Sequence, residues 1–279
     1  MHRLFIKKVI IIIICIFPSD SNTSSIFKTK YLNVPGGIFL QEITQQQYRN
    51  GVFINDIKIL TKQIDNKFYL IYGIPYKTPI GDQSINIVGQ NTQKTVNFYL
   101  KKKKFKKQYI KISKKYTEPS TDDIKRIIKE QNILKSYRKI WSSNNPDTNF
   151  VYPVQGITTG VFGTERYYNG KKGRYHNGMD IAAKMNDPIV APSSGKVIIV
   201  GDFFYNGKFV YIDHGKGLLS IFIHLNEISV KKGVYVKKGD LIGRIGTTGI
   251  STGPHVHWSM MLNQTYIDPM IFLDADINN

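Results

Sequence analysis

A pair of histidines near the C-terminus restricts the local fold more than any other feature of the chain. His255 and His257 lie in the segment HVHWSMML, which follows Pro254 and is rich in strand-forming residues. Residues two apart project from the same face of a β-strand. Both imidazoles are therefore predicted to face one cleft of a β structure.

Two further segments supply side chains that suit a metal. The motif HNGMD contains His176 and Asp180, and the run IFIHL contains His224. Clusters of His and Asp are typical of zinc sites, and a catalytic zinc has three protein ligands and one open position. The single cysteine, Cys15, lies in an N-terminal apolar run, which excludes a cysteine-based structural site. Two histidines and one aspartate would leave a position for water, and the remaining histidines become candidates for proton transfer or charge stabilisation.

These motifs resemble those of a known family. HNGMD is similar to the HxGxD motif of the lysostaphin-type zinc metallo-endopeptidases that cut peptidoglycan cross-links, and residues 243–257 resemble that family's G-x-x-G-x-T-G-x-S-T-G-P-H-x-H block. The resemblance extends from about residue 152 to residue 273, and it implies Zn2+ as the cofactor. It also implies the roles of five side chains: His176, Asp180 and His257 as metal ligands, and His224 and His255 as active-site histidines that do not bind the metal.

Two positions depart from the family's pattern. Asn186 and Asp187 precede Pro188, where the family usually has Gly-Thr, and they lie in a predicted turn away from the proposed ligands. Trp258 stands where Phe or Tyr is common, and we expect it to affect the cleft wall but not the metal.

Some of the histidines also have simpler, structural interpretations. A histidine pair on one strand face is also compatible with polar residues that line a core, but the HxxxD motif and a third histidine favour a metal site. His214 lies in IDHG, a predicted strand end and turn, and is not expected to act directly in catalysis. His2 belongs to the N-terminal segment and is not a site candidate.

Residues 1–19 have the composition of a secretory signal. Three basic residues precede an apolar run at 9–17, which is shorter than the roughly 20 residues of a membrane-spanning helix. Ile14 precedes Cys15, where a bacterial lipoprotein signal has a small residue. We therefore expect export across the inner membrane to the periplasm or cell envelope, with no transmembrane helix unless this segment is retained.

Residues 30–112 contain short strand-like runs separated by turn signals. This pattern is typical of a small β-sandwich. The region also resembles, more weakly, the immunoglobulin-like domain that precedes some peptidases of the family. Examples of the predicted strands are Gly37 to Leu40, Val52 to Ile54, Phe68 to Tyr72, Ser84 to Val88 and Thr95 to Leu100.

The rest of the chain divides into a basic helical linker at residues 113–150 and a peptidase domain at residues 151–279. Ser120 is a predicted helix N-cap. Apolar residues at helical spacing are expected to contact one of the domains; they are Ile124, Ile127, Ile128, Leu134, Tyr137 and Trp141. The last region has alternating apolar strands without a long helical pattern, so the chain is predicted to be mainly β, with an antiparallel peptidase domain.

The net charge of +19 is concentrated in the middle of the chain. Residues 101–150 hold 15 basic and 5 acidic side chains, a net charge of +10, and they begin with KKKKFKK at 101–107. A basic patch attracts polyanions. A specific nucleic-acid partner is disfavoured because no nucleic-acid motif is present and the chain is predicted to be exported. A solvated charged face is the first interpretation, and contact with anionic envelope polymers is the alternative.

Together these features predict a zinc-dependent endopeptidase that hydrolyses peptide cross-links of bacterial peptidoglycan through a metal-activated water. His255 is the preferred general base and His224 the stabilising group, although the residues themselves leave that choice open. Two alternatives remain: a non-catalytic envelope protein of the same fold that binds or activates another wall hydrolase, and a basic binding or structural protein of the envelope. The complete set of proposed ligands favours the enzyme.

Overall fold

The structure is a computed structural model and describes residues 29–273. The predicted signal segment, with His2 and Cys15, lies outside the described residues. The chain is mainly β, as the sequence predicts. A 3-10 turn at Thr29–Tyr31 precedes the N-terminal elements, which are β1 (Ile38–Ile43), α1 (Gln45–Asn50), β2 (Phe53–Ile54), β3 (Ile57–Lys58), β4 (Leu60–Ile64), β5 (Lys67–Gly73), β6 (Gly81–Val88) and β7 (Gln93–Leu100).

These N-terminal strands form two antiparallel sheets that face each other. One has the order β1-β5-β4 and the other β3-β2-β6-β7. Phe39 and Leu70 from the first sheet pack with Ile87 and Leu100 from the second in one apolar cluster. All five predicted strands are present. Helix α1 was not predicted, because its sequence QQQYRN has no apolar periodicity and only the capping box at Thr44 indicates it.

The sheet β1-β5-β4 is buried on both faces. Side chains alternate along a strand, so Ile38, Leu60 and Ile71 project away from the N-terminal cluster. They join the large core of the C-terminal half, together with Leu262 and Ile267. The first sheet is therefore shared between the two halves of the chain.

The C-terminal half is built on a large antiparallel sheet. Its strands follow the order β18-β14-β15-β16-β20-β12-β9, with β21 paired to β20, and a smaller sheet has the order β13-β19-β17. A 3-10 turn at Pro269–Ile271 follows the last strand. The strands are β9 (Ile157–Gly160), β10 (Glu165–Tyr168), β11 (Lys171–Tyr175), β12 (Met179–Ala182), β13 (Pro188–Val190), β14 (Gly195–Phe203), β15 (Gly207–Gly215), β16 (Leu218–Leu225), β17 (Glu227–Ile228), β18 (Tyr235–Val236), β19 (Leu241–Arg244), β20 (His255–Leu262) and β21 (Thr265–Ile267).

A short strand in the middle of the chain joins the two halves. β8 (Lys107–Ile110) pairs with β10 in parallel, and β10 pairs with β11 in an antiparallel arrangement. Residues 107–110, which sequence patterns place in the N-terminal domain, thus hydrogen-bond to the peptidase region. The domain boundaries at 112 and 150 stay a prediction.

The helical region contains α2 (Lys114–Thr117) and α3 (Thr121–Tyr137). Ser120 is the N-cap of α3, as predicted, and its hydroxyl accepts a hydrogen bond from the Asp123 amide. The predicted apolar stripe is wrong in part. Ile127 is buried, whereas Ile124 and Ile128 are 45% and 55% exposed. The helix contacts β14 along one narrow face, so isoleucines at its border remain in solvent.

Among the described residues, none of the helices combines the length and the apolar character that crossing a bilayer needs.

Two adjacent isoleucines allow a matched test of how α3 docks. We expect Ile127→Ala to lower the free energy of unfolding by about 2–4 kcal/mol, because it leaves a cavity at a buried position of the helix. Ile128→Ala removes the same atoms from an exposed position, and alanine favours the helix, so its effect should stay within about 0.5 kcal/mol. Urea denaturation of both variants makes the comparison. Equal losses would contradict the docking described here.

Candidate active site

Strand pairing brings the proposed ligands together. β12 and β20 are antiparallel neighbours, and their register places Asp180 directly opposite His257. Directly opposite residues on an antiparallel pair project from the same face. His176 lies just before β12, in the motif HNGMD. A side chain at Gly178 would bring a Cβ to 2.3 Å from the backbone oxygen of Trp258, so glycine there permits the close approach of this motif to β20.

One side-chain atom from each of the three proposed ligands lies at a common point. Asp180 Oδ1 lies 3.0 Å from His176 Nε2 and 2.8 Å from His257 Nδ1, and these two nitrogens are 2.9 Å apart. All three side chains are buried. One ion can contact all three atoms at these separations.

Each of the two histidines in the cluster also has a polar partner for the ring nitrogen that points away from it. His176 Nδ1 donates to the Val161 carbonyl oxygen at 2.9 Å, which leaves Nε2 with a lone pair. His257 Nε2 lies 2.7 Å from the Ser259 hydroxyl, which itself donates towards Asn177. His257 Nε2 therefore has an outer polar partner, while Nδ1 faces the cluster. Two imidazole nitrogens and one carboxylate oxygen thus face one another, and this is a set of atoms that a metal cation fits.

Asp180 is ionised in this setting. Burial by itself raises the pKa of its carboxyl group, but His176 and His257 oppose that effect and hold the pKa well below its ordinary value. Asp180 Oδ2 also accepts a hydrogen bond from Arg166 on β10. The two carboxylate oxygens therefore have separate partners, one in the cluster and one on an arginine.

Arg166 was missed by the sequence reasoning. Its guanidinium also donates from Nε to Gln108 on β8 at 3.2 Å, so the short joining strand supports it. A Cβ at Gly160 would lie 2.5 Å from Asp180 Oδ2 and 3.0 Å from the guanidinium, so a larger residue there would disrupt the pair. Nothing in the sequence around Arg166 marks it, because the contact depends on how β10 packs beside β12.

His224 and His255 lie beside the cluster. Their ring centroids are 5.0 Å apart, and His255 Nε2 is 3.9 Å from Asp180 Oδ1. Each donates from Nδ1 to a backbone carbonyl oxygen at 2.8 Å, His224 to Thr248 and His255 to Gly253. Each ring therefore has a free lone pair on Nε2. The structure thus brings all five predicted site residues into one cleft.

His224 reaches the cleft because β16 contains a bulge. Phe222 and Leu225 on β16 pair with Val210 and Lys208 on β15, so two residues oppose one, and His224 has φ of 72°. Strict alternation would place His224 on the same face as Phe222, inside the core. The bulge reverses the alternation, so that Leu225 is buried in the core and His224 turns towards the cleft. Phe222 and His224 therefore do not share a face, contrary to regular alternation.

Burial keeps His224 and His257 neutral. It lowers the pKa of His224 to about 3, with a further contribution from His255 and His257. It lowers the pKa of His257 to about 4, although Asp180 opposes the change. Neutral imidazoles are the form that binds metals or accepts protons.

Trp258 and His214 both lie outside the cleft. Trp258 does not form a cleft wall: its side chain is fully buried on the opposite face of β20, where it stacks with Phe222 at 6.2 Å. The expectation fails because side chains alternate along β20. His214 lies outside the cluster, as predicted. It donates from Nδ1 to Ser194 O at 2.9 Å and accepts from the hydroxyl of Ser220 at 2.8 Å.

Comparison with known proteins agrees with this site. Residues 174–269, which include both histidine motifs, match the model of peptidase family M23. A crystal structure described as a peptidase M23 from Pseudomonas aeruginosa is 31% identical, with a TM-score of 0.70, over 86% of this chain and 94% of that one. The chain belongs to peptidase family M23. This is a metallopeptidase family, and the cluster of His176, Asp180 and His257 provides side chains of the kind that hold a metal.

Two curated M23 relatives are much longer than the aligned region. Peptidoglycan DD-endopeptidase ShyB of Vibrio cholerae is 30% identical over 156 residues, which are 56% of this chain and 33% of that protein. Lysostaphin of Staphylococcus simulans is 37% identical over 120 residues, which are 41% of this chain and 24% of that protein. The chain thus spans about a third or less of the length of these relatives.

The buried His214 predicts a pH dependence of stability. Burial lowers its pKa from 6.5 to about 4, so the folded chain binds fewer protons than the unfolded chain between these values. The contribution is complete above pH 6.5 and is lost as the pH falls towards 4. Relative to His214→Asn, we expect the wild type to lose about 2–3 kcal/mol more unfolding free energy between pH 7 and pH 4. Denaturant titrations over this range measure the difference, and parallel curves would contradict it.

Proposed function

We propose that this M23 chain is a zinc-dependent endopeptidase that hydrolyses peptide cross-links of bacterial peptidoglycan. The observation that carries the proposal is the convergence of His176, Asp180 and His257 at one point, beside two further histidines. The relatives named peptidoglycan DD-endopeptidase and lysostaphin support the substrate. An exported enzyme in the periplasm or cell envelope fits such a substrate.

His176, Asp180 and His257 are the proposed zinc ligands. A zinc ion bound there would polarise the scissile carbonyl group and increase the acidity of a water molecule. The ligands are oriented by their outer hydrogen bonds: Val161 fixes the His176 ring, Ser259 fixes the His257 ring, and Arg166 holds the second oxygen of Asp180. Such supports keep the lone pairs directed at one point.

His255 is the proposed general base. Its Nε2 faces the cluster with a free lone pair, because Nδ1 donates to Gly253 O. It takes a proton from the attacking water and later gives one to the leaving amine. His224 is the proposed stabilising residue: it presents Nε2 to the same cleft, and Thr248 O fixes its ring.

Hydrolysis of isolated peptidoglycan tests the function. Purified mature protein, incubated with sacculi, should release soluble fragments with new amino termini, and a chelator should stop the release. Asp180→Ala serves as the inactive control. Tight binding to sacculi without new termini in the metal-supplemented wild type would favour the non-catalytic alternative instead.

Metal analysis tests the ligand assignment. We expect one zinc per wild-type chain and loss of tightly bound zinc in Asp180→Ala and His257→Ala, because two remaining ligands hold the ion weakly. Arg166→Gln should weaken zinc binding by about 10- to 100-fold, since the carboxylate loses its outer partner. Asp202→Ala removes an exposed carboxylate elsewhere and is the control. Full zinc content in Asp180→Ala would disprove the assignment.

The two remaining histidines differ in their expected pH behaviour. Alanine at either position should keep zinc bound and lower turnover by about two to four powers of ten. Loss of the true base should flatten the acidic limb of the rate profile, so we expect that result for His255→Ala. His224→Ala should lower the curve but keep its shape, because a group with a pKa of about 3 is already neutral between about pH 5 and 8. Zinc loss from His255→Ala would make His255 a ligand instead.

The lysine run at 101–107 is proposed to contact anionic envelope polymers. Lys103 pairs with Asp268 at 3.0 Å and is largely covered, whereas the other five lysines of the run are exposed. Changing those five to Gln should weaken binding to sacculi and its salt dependence, because exposed charges act through screened attraction. Zinc content and hydrolysis of a short soluble peptide are the controls. An equal fall in soluble-peptide hydrolysis would place the run in the active site.

A further inference from the structure

The cleft has differently charged walls on the two sides of the ligand cluster. One side, here called the neutral flank, is lined by Ile110, Ile112, Thr159, Ser251 and Thr252. The other side, here called the basic flank, is lined by Lys77, Arg138, Lys172, Arg174, Tyr205 and Tyr266. Arg166, Tyr168, His224 and Ile250 line both sides. On the neutral flank the charged groups are Arg166 and Asp180, which pair with each other.

The positive charge of the basic flank is poorly compensated. Among the described residues that line it, Glu165 supplies the only carboxylate, and Lys172 lies 3.9 Å from it. Arg138 lies over the Tyr266 ring at 5.5 Å rather than against an acid. Lys77 and Arg174 form no ion pair with any described residue. Both are exposed, so an incoming anion can reach them.

The segments that carry Lys77 and Arg174 have defined positions near the cluster. Tyr76, which precedes Lys77, stacks on Tyr175 with ring centroids 3.9 Å apart and donates a hydrogen bond to Gly163 O at 3.2 Å. Arg174 lies on β11, two residues before the proposed ligand His176. The N-terminal half therefore contributes a cation to one side of the cleft.

From this asymmetry we propose that the basic flank binds a carboxylate of the substrate, so that the cleft accepts a cross-linked peptide in one direction. The carboxylate-bearing part of the peptide lies on the basic flank, and the uncharged part lies on the neutral flank. Lys77 and Arg174 are the specificity-determining residues. The inference rests on the proposed function and names the chemistry that orients the substrate in the same cleft.

A carboxylate on the wrong flank would meet apolar and hydroxyl side chains with no free cation among the described residues. A carboxylate on the basic flank instead lies near two cations, neither of which is already paired with an acidic side chain of the described residues. Exposed charge pairs contribute modestly, so the expected preference is about threefold to tenfold rather than absolute. Because the cations are exposed, salt should reduce that preference.

A matched set of soluble substrates tests the proposal. The probe is a cross-linked peptide fragment of peptidoglycan, prepared in three forms: with all its carboxylates free, with only the terminal carboxylates amidated, and with only the side-chain carboxylates amidated. We expect one amidated form to be cleaved about three- to tenfold less efficiently by the wild type, as kcat/KM. The form that loses efficiency identifies which carboxylate binds.

Three variants complete the experiment. Lys77→Gln and Arg174→Gln should each reduce the ratio of kcat/KM between the free and amidated forms, and the double variant should bring it close to one. Lys171→Gln removes an exposed charge from the same strand as Arg174, outside both flanks, and should keep the wild-type ratio. Zinc content and thermal melting check that every variant is folded.

The outcomes separate this proposal from the proposed function. If the wild type cleaves all three forms equally, or if the variants keep the wild-type ratio, the basic flank does not recognise a carboxylate and the inference is overturned. If the zinc-containing wild type cleaves neither these peptides nor sacculi, the proposed function itself fails.

Discussion

The carboxylate of Asp180 is the contact on which the site depends. One oxygen lies against His176 and His257, and the other accepts a hydrogen bond from Arg166. A buried carboxylate is stable only when its charge is matched. The antiparallel pairing of β12 with β20 supplies the first set of partners, and the packing of β10 supplies the arginine. Site geometry and local stability are therefore coupled through one side chain.

The N-terminal half takes part in this arrangement instead of standing apart from it. Its sheet β1-β5-β4 is buried on both faces, so the large core extends across the two halves. Tyr76 from this half stacks on Tyr175, directly before the proposed ligand His176. β8 adds a parallel strand to β10 and holds Arg166 through Gln108. The shape of the cleft thus depends on segments far from the histidine motifs in the sequence.

The histidines illustrate how burial and hydrogen bonding assign roles to identical side chains. His176 and His257 each contact an outer polar partner with one ring nitrogen and face the cluster with the other. His224 and His255 donate to backbone carbonyls and keep a lone pair for the cleft. His214, in contrast, has both ring nitrogens in hydrogen bonds inside the core, where its partners are Ser194 and Ser220. Position, rather than residue type, separates a structural histidine from the others.

The sequence by itself determined the mainly β class, the longer strands and the five clustered side chains, because strand periodicity and motif spacing are local. Family resemblance, not spacing alone, separated the proposed ligands from the other two histidines. Tertiary structure decided what depends on contacts between distant segments: the pairing of Arg166 with Asp180, the burial of Trp258, and the exposure of Ile128. It also decided the bulge that turns His224 into the cleft, because a change of alternation is defined only by the partner strand. The charge difference between the two flanks arises in the same way, since Lys77 and Arg174 line the same flank only when the halves of the chain pack together.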